Sequence, residues 1–164
     1  MKRSPISLLP LLVLLIGSMA CHTDGEIISP ATGVDNNGNN SPDTTGNRLR
    51  IRVGSTTFQA TLLNNPTAKA FKARLPLTVL MSELNGNEKL YNFPQNLPTN
   101  SANPGTIQTG DLMLYGSTTL VLFYKSFSTN YSYTKLGQID HPSGLAAAVG
   151  SGNITVTFEL EQSS

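Results

Sequence analysis

The chain has 164 residues, of which 11 are Lys or Arg and 10 are Asp or Glu, with a single Cys and no Trp. The single cysteine excludes an internal disulfide framework and multi-cysteine metal sites, and a formal net charge of +1 provides no basic surface for nucleic acid. The length allows one domain with appendages, and a low aromatic share of 7% alongside many Gly, Asn, Thr and Ser residues favours strands and turns over helical bundles.

The N-terminus has the residue order of an export signal. Lys2 and Arg3 precede an almost wholly apolar segment, residues 6–16, and small residues follow as far as Ala20. The apolar segment is shorter than the roughly 20 residues that a membrane-spanning helix needs. We therefore predict a cleaved secretory signal over residues 1–20.

The only cysteine of the chain, Cys21, directly follows this signal. Together with Ser18, Met19 and Ala20 it resembles the signal of bacterial lipoproteins, although Ser18 stands where that pattern usually has Leu. The resemblance implies that Cys21 is lipidated, and two or more acyl chains anchor a protein stably, at roughly 0.8 kcal/mol per buried methylene. We therefore predict an exported lipoprotein of the bacterial cell envelope, bound to a membrane through its N-terminal lipid. The alternative is simple cleavage after Ala20, whose small residues also suit that reaction.

A long polar segment separates the predicted signal from the predicted domain. Residues 21–47 are rich in Asn and Gly, carry four acidic residues, and contain no Lys or Arg. Such a segment cannot bury enough apolar surface to offset the entropy of ordering it. We predict a flexible linker over residues 21–47 and one folded domain over residues 48–162.

The domain begins with a predicted hairpin and a short helix. Apolar residues alternate with three arginines over residues 48–53, which indicates a half-buried strand, and residues 57–62 form the returning strand. The arginines are interpreted as a solvent-facing strand surface rather than as an anion site. Asn65 followed by Pro66 is typical of a helix start, so we predict a helix over residues 67–75.

Further short strands follow along the domain. They are predicted at residues 77–81, 88–91, 111–115, 120–124, 136–139 and 154–160, with a second short helix at residues 145–149. Short strands at this spacing, combined with two small helices, predict a mainly β fold in the form of a small closed β-barrel.

Several short segments of the domain occur in a characteristic order. They are Phe58-Gln59-Ala60-Thr61-Leu62, Asn65-Pro66-Thr67-Ala68, Leu75-Pro76-Leu77-Thr78-Val79, Glu88-Lys89 with Pro94, Gly110-Asp111, Phe123-Tyr124-Lys125 and Leu136-Gly137-Gln138-Ile139-Asp140. Together they resemble the bacterial cyclophilin-like fold family, small β-barrels shaped like prolyl isomerases. The resemblance covers residues 48–161 and implies a closed barrel of cyclophilin-like type with one or two short helices.

The resemblance implies a fold and not an activity. Active cyclophilins place an arginine from a Phe-His-Arg segment beside the prolyl nitrogen, close to a Gln-Gly-Gly segment, and thereby lower a barrier of about 20 kcal/mol. Neither segment occurs in this sequence. We therefore assign no catalytic residue and expect no cofactor. The alternative is a divergent peptidyl-prolyl isomerase that uses Lys89 or Arg74 as its donor.

All the tyrosines of the chain are candidate binding residues. In a small barrel some aromatic rings fill the interior, and others are available to line a groove for an apolar or peptide-like ligand. The candidates are Tyr91, Tyr115, Tyr124, Tyr131 and Tyr133. The prediction is a binding module for an unidentified small molecule or peptide. A structural envelope protein whose partner occupies the groove is a third possibility.

Neighbouring charged residues elsewhere are interpreted as structural. Glu88 and Lys89 are predicted to form an exposed ion pair or a strand-end contact, and exposed pairs contribute little to stability. Asp140, His141 and Ser143 lie in one Pro-containing turn, whereas the members of a catalytic triad normally come from separated segments. With His141 as the only histidine of the predicted domain, we expect no histidine-rich metal site.

Overall fold

The computed structural model describes residues 46–161, so the predicted signal, Cys21 and nearly all of the predicted linker lie outside the described residues. The elements follow in the order β1 (Arg48–Val53), β2 (Thr56–Leu62), α1 (Pro66–Lys72), β3 (Leu77–Leu84), β4 (Glu88–Asn92), β5 (Thr106–Ile107), β6 (Asp111–Tyr115), β7 (Thr119–Phe123), β8 (Phe127–Ser128), β9 (Tyr133–Ile139), α2 (Leu145–Val149) and β10 (Ile154–Leu160). No helix within this part of the chain is long and apolar enough to cross a membrane.

Eight of the strands close into an antiparallel barrel. Their order around the barrel is β1-β10-β3-β4-β7-β6-β9-β2, and β2 pairs with β1 to complete the ring. The predicted small closed β-barrel with two short helices is therefore confirmed. The remaining strands, β5 and β8, pair with each other as a separate ribbon that the sequence did not predict, because each has only 2 residues.

The inward-facing residues of the strands form a continuous apolar core. On β1 and β10, Ile51 lies opposite Phe158, and both side chains are fully buried. Helix α1 adds Phe71, whose ring meets that of Phe158 edge to face with the centroids 5.6 Å apart. Helix α2 adds Leu145 and Val149 to the same core. The period-2 pattern of the sequence thus becomes one inward row on each strand.

Helix α1 begins where the sequence predicted. The side-chain oxygen of Asn65 accepts a hydrogen bond from the backbone N–H of Ala68 at 2.8 Å, and Pro66 occupies the first turn, where its missing N–H costs nothing. The helix ends at Lys72, before the predicted end at Leu75.

The arginines of β1 face outward, as predicted, and two of the three meet carboxylates of neighbouring segments. Arg50 Nη2 lies 2.8 Å from Glu159 Oε2 on β10, and Arg48 Nη1 lies 2.8 Å from Asp140 Oδ2 at the end of β9. Pairs of this kind contribute about 0–1 kcal/mol each when they are exposed to solvent. They support the interpretation of this row as a soluble strand surface.

A second apolar cluster lies on the outside of the barrel wall, beneath the β5–β8 ribbon. Its buried members are Ile107, Met113, Val121, Phe123 and Tyr133, and Phe127 packs against them. Strand alternation explains this cluster, because Leu120 and Leu122, which alternate with Val121 and Phe123 on β7, face the barrel interior instead. Strand β7 is therefore apolar on both faces, and its outer face supplies the floor of the groove described next.

Candidate binding groove

Glu88 and Lys89 are consecutive on β4, and their side chains lie on opposite sides of the barrel wall. Lys89 is fully buried on the inner side, whereas Glu88 lies on the outer side with only 9% of its surface exposed. Successive side chains of a strand point to opposite faces, so these two residues do not pair with each other. The predicted exposed ion pair is therefore wrong.

Lys89 is held by a polar cluster at the end of the barrel near α2. Its ammonium group contacts the carboxylate of Glu83 and donates to the carbonyls of Gly150 and Gly152, at 2.9 Å and 2.6 Å. The hydroxyl of Tyr124 donates to the second oxygen of the same carboxylate at 2.8 Å. The three donors of the lysine are thus fully used, and the cluster closes this end of the barrel.

The pKa values of this inner cluster follow from its contacts. Burial acts to raise the pKa of Glu83, but hydrogen bonds from Lys89, Tyr124 and the Gly86 N–H outweigh it and hold that pKa below its usual value. Burial and the hydrogen bond to Glu83 raise the pKa of Tyr124 to about 12. The carboxylate therefore stays ionised and the phenol stays protonated at neutral pH.

On the outer side of the wall, the structure has a groove with a volume of about 220 Å³. We call it the tyrosine groove and define it by Glu88, Leu90, Tyr115, Val121, Tyr131 and Tyr133. The register of the sheet accounts for its floor, because Leu90 pairs with Val121 across β4 and β7. Side chains that share one face of neighbouring strands therefore meet here.

Three tyrosine rings form one wall of the tyrosine groove. Tyr115 meets Tyr131 edge to face with ring centroids 6.1 Å apart, and its ring lies 5.5 Å from that of Tyr133. Tyr131 is 64% exposed and Tyr115 is 46% exposed, whereas Tyr133 is buried against Phe123 of the outer cluster. Aromatic contacts of this kind contribute about 0.5–1.5 kcal/mol beyond the area they bury, so the two exposed rings pack on the buried ring of Tyr133 and on each other.

Glu88 gives the groove a buried acidic group without a partner. Within residues 46–161, its carboxyl makes no hydrogen bond and no ion pair, and burial followed by the charge of Glu83 raises its pKa above the usual value. Burial and the charge of Glu88 also raise the pKa of Tyr133. The adjoining cavity, about 340 Å³, shares Glu88, Tyr131 and Tyr133 and adds Asn87, whose side-chain oxygen is buried without a hydrogen-bond partner.

The structure brings three of the five candidate tyrosines together and places the other two elsewhere. Tyr115, Tyr131 and Tyr133 share the tyrosine groove. Tyr91 packs against the barrel core, and Tyr124 belongs to the inner cluster with Glu83.

Sequence reasoning missed Glu88 as a groove residue. The signal was present in the strand predicted over residues 88–91, because alternation puts Glu88 on the same face as Leu90 and opposite to Lys89. What the sequence did not reveal was which of those faces points outward.

The two cations considered as isomerase donors do not line the tyrosine groove. Lys89 is enclosed in the inner cluster described above. Arg74 donates from Nη1 to the carbonyl of Ala70 at 2.5 Å, and its guanidinium lies 5.5 Å from the ring centroid of Phe93. Both cations are thus engaged in contacts within the domain.

Two larger cavities have charged side chains that are already paired. One of them, about 900 Å³, is bordered by Arg50 and Glu159, which pair with each other. Another, about 460 Å³, includes Asp111 and Lys135, whose charged atoms lie 2.8 Å apart. No group of three or more potential metal-ligating side chains occurs within residues 46–161. The tyrosine groove therefore stands out by the unpaired carboxyl of Glu88.

Comparison with known families gives a match over most of the chain. A model described as the cyclophilin-like family matches residues 51–159, from the first strand of the barrel to the last. Comparison with curated proteins gives no match.

Proposed function

We infer that this chain, which belongs to the cyclophilin-like family, uses its barrel as a binding module for a small molecule or a short peptide. The observation that carries this proposal is the tyrosine groove, where two exposed rings stand beside Glu88, a largely buried residue whose carboxyl has no partner among the described residues. Sites that bind small ligands are typically concave and apolar with a few placed polar groups, and this groove has that composition.

We also propose that the module is exported and anchored to the cell envelope through a lipid on Cys21. The support is the residue order of the N-terminus, where a basic start, an apolar segment and small residues precede the only cysteine. An anchored module would present the tyrosine groove at a membrane surface, within reach of ligands outside the cytoplasm.

A divergent prolyl isomerase remains the alternative activity. It requires a cationic donor beside the prolyl nitrogen of the substrate, and the two donors considered are Arg74 and Lys89. Both already donate to carbonyl or carboxylate oxygens within the domain. Binding without isomerisation is therefore the function that the geometry supports best.

The binding proposal is tested by NMR titration of the isotope-labelled full chain. The probes are four capped tripeptides with Leu, Phe, Lys or Glu at the centre. We expect at least one to shift the resonances of Tyr115, Tyr131 and Tyr133, and Tyr131→Ala to weaken its binding by about fivefold to tenfold, as expected for an exposed aromatic contact residue.

Leu80→Ala is the matched control for this experiment. Leu80 is 60% exposed on the outer face of β3, similar to Tyr131, but does not line the tyrosine groove. Its removal should leave the affinity unchanged. If no tripeptide shifts the groove resonances, or if Tyr131→Ala binds as tightly as the parent chain, the proposal is wrong.

The alternative activity has its own assay. Cis–trans exchange of a prolyl peptide, followed with and without the protein, should proceed at its uncatalysed rate of tens to hundreds of seconds. Clear acceleration that is lost in Arg74→Ala or in Lys89→Ala would establish the isomerase instead.

A further inference from the structure

We propose that the ligand of the tyrosine groove carries a primary ammonium group, and that Glu88 binds this group. The inference rests on the proposed binding function and specifies the chemical class of its ligand. It includes amines, peptide N-termini and lysine side chains, which present the same –NH₃⁺ group.

The first argument is the state of the Glu88 carboxyl. A charged group is costly to bury unless it is paired and hydrogen-bonded. Glu88 is 9% exposed, makes no hydrogen bond or ion pair within residues 46–161, and opens onto the tyrosine groove. A cation that enters the groove would supply the missing partner.

The second argument is the neighbouring amide of Asn87. Its side-chain oxygen is buried and has no hydrogen-bond partner within the described part of the chain, although nearly all such groups in proteins have one. Asn87 also borders a cavity that contacts Glu88 and Tyr131. The residue beside Glu88 thus supplies no donor to its carboxyl, whereas a primary ammonium would bring three.

The third argument is the wall of tyrosine rings. Cations are attracted to the faces of aromatic rings within about 6 Å of the centroid. Tyr115 and Tyr131 present exposed rings beside Glu88, and Tyr133 lies below them. A quaternary ammonium would use the rings but would leave the Glu88 carboxyl without a hydrogen-bond donor, so the pattern favours the primary group.

No cation of the described domain neutralises Glu88. Lys89, its neighbour in sequence, lies on the other side of the barrel wall and is bound to Glu83 and two carbonyls. Lys135, on the adjacent part of the outer surface, pairs with Asp111 at 2.8 Å. The charge on the groove floor is therefore available to a ligand.

The test compares three probes of similar shape on the full chain by NMR titration: butylammonium, butyltrimethylammonium and 1-butanol. We expect butylammonium to shift the groove resonances with an affinity about tenfold or more above the other two. Butyltrimethylammonium keeps the charge but has no N–H donor, and 1-butanol keeps a donor but has no charge. Glu88→Gln should reduce butylammonium binding to the level of 1-butanol.

Glu159→Gln is the control variant, since it removes the same charge from a half-buried position on β10 outside the groove, where Glu159 pairs with Arg50. It should bind butylammonium like the parent chain. A capped tripeptide with central Lys, compared with one carrying norleucine, then distinguishes a peptide side chain from a free amine as the better ligand.

The possible results separate this inference from the proposed function. If Glu88→Gln retains a native spectrum and binds butylammonium as well as the parent chain, or if butylammonium binds no better than 1-butanol, the ammonium inference is wrong. In that case the binding function survives if Tyr131→Ala still weakens binding of a neutral tripeptide. If Glu88→Gln does not fold, the preference for butylammonium over 1-butanol is measured in Tyr115→Ala instead. Loss of this preference supports the inference, and an unchanged preference contradicts it. If no probe shifts the groove resonances, both proposals are wrong.

Discussion

Glu83 and Glu88 lie on opposite sides of the barrel wall, and their pKa values move in opposite directions. Glu83 is half-buried and surrounded by donors, with Lys89, Tyr124 and the Gly86 N–H all directed at its carboxylate. Glu88 is buried without any donor among the described residues. The ionised form of a glutamate is thus stabilised at Glu83, on one face of the wall, and destabilised at Glu88, on the other face.

Glu88→Gln should stabilise the unliganded protein at neutral pH. The folded-state pKa of Glu88 is raised, so ionisation of this group opposes folding once the pH exceeds its unfolded value of about 4.5. Because an unsatisfied buried polar group costs about 1–3 kcal/mol and Gln remains polar, the expected gain in the free energy of unfolding is at most about 1 kcal/mol. Denaturant unfolding at neutral pH measures it.

The gain should disappear in acid, because below the unfolded pKa the carboxyl is protonated in both states. Unfolding curves of the parent chain and of Glu88→Gln should therefore converge below pH 4. A loss of stability in the variant at neutral pH would show that Glu88 supports the fold, which would contradict its assignment as a ligand-binding group.

Lys89→Met should be strongly destabilising. It leaves the carboxylate of Glu83 and the carbonyls of Gly150 and Gly152 without their buried donor, and breaking a buried ion pair costs about 3–5 kcal/mol. Lys69→Met, at an exposed position of α1, should change the free energy of unfolding by less than about 0.5 kcal/mol. Similar effects of the two substitutions would contradict the structural role of Lys89.

The pH dependence of stability should show the contribution of Glu83. Its folded-state pKa is lowered, so the stabilisation is fully present above the unfolded value of about 4.5 and is lost as the pH falls through the folded value. Glu83→Gln should therefore weaken the protein at neutral pH and make its stability less sensitive to acid over this interval. An equally steep acid dependence in the variant would exclude Glu83 as a source.

Asn65→Ala should shorten or loosen α1 and destabilise the domain by about 1–2 kcal/mol, the usual cost of losing a helix N-cap. The loss is expected at the upper end of this interval because the amide also donates to the carbonyl of Lys135 at 2.9 Å. Asn64→Ala is the matched control, since Asn64 is exposed and precedes the cap by one position. Thermal melts followed by circular dichroism compare the two variants.

Lipidation of Cys21 should be visible in the mass of the mature protein. We expect the mature chain to begin at Cys21, to carry acyl chains, and to fractionate with membranes, whereas Cys21→Ser should be released or remain uncleaved. An unmodified cysteine at the mature N-terminus would show that the signal is a simple secretory one.

Local patterns in the sequence were sufficient for much of the fold. The alternation over β1 requires only that one face be buried, and the Asn65-Pro66 start of α1 is a local hydrogen-bonding arrangement. The spacing of the short strands predicted a closed barrel, and the resemblance of several sequence segments to the cyclophilin-like family indicated its type. The β5–β8 ribbon escaped prediction because pairs of two residues carry no periodicity.

The candidate site depended on contacts between distant segments. Aromatic content alone did not distinguish Tyr131, which reaches the groove, from Tyr124, which is held in the inner cluster. A strand has two equivalent faces in sequence, and only the closing of the barrel decides which face becomes the interior. The sequence by itself therefore determined the alternation that separates Glu88 from Lys89. The tertiary structure alone decided that Glu88 faces a groove and Lys89 a carboxylate, because both surroundings are assembled from segments far apart in the chain.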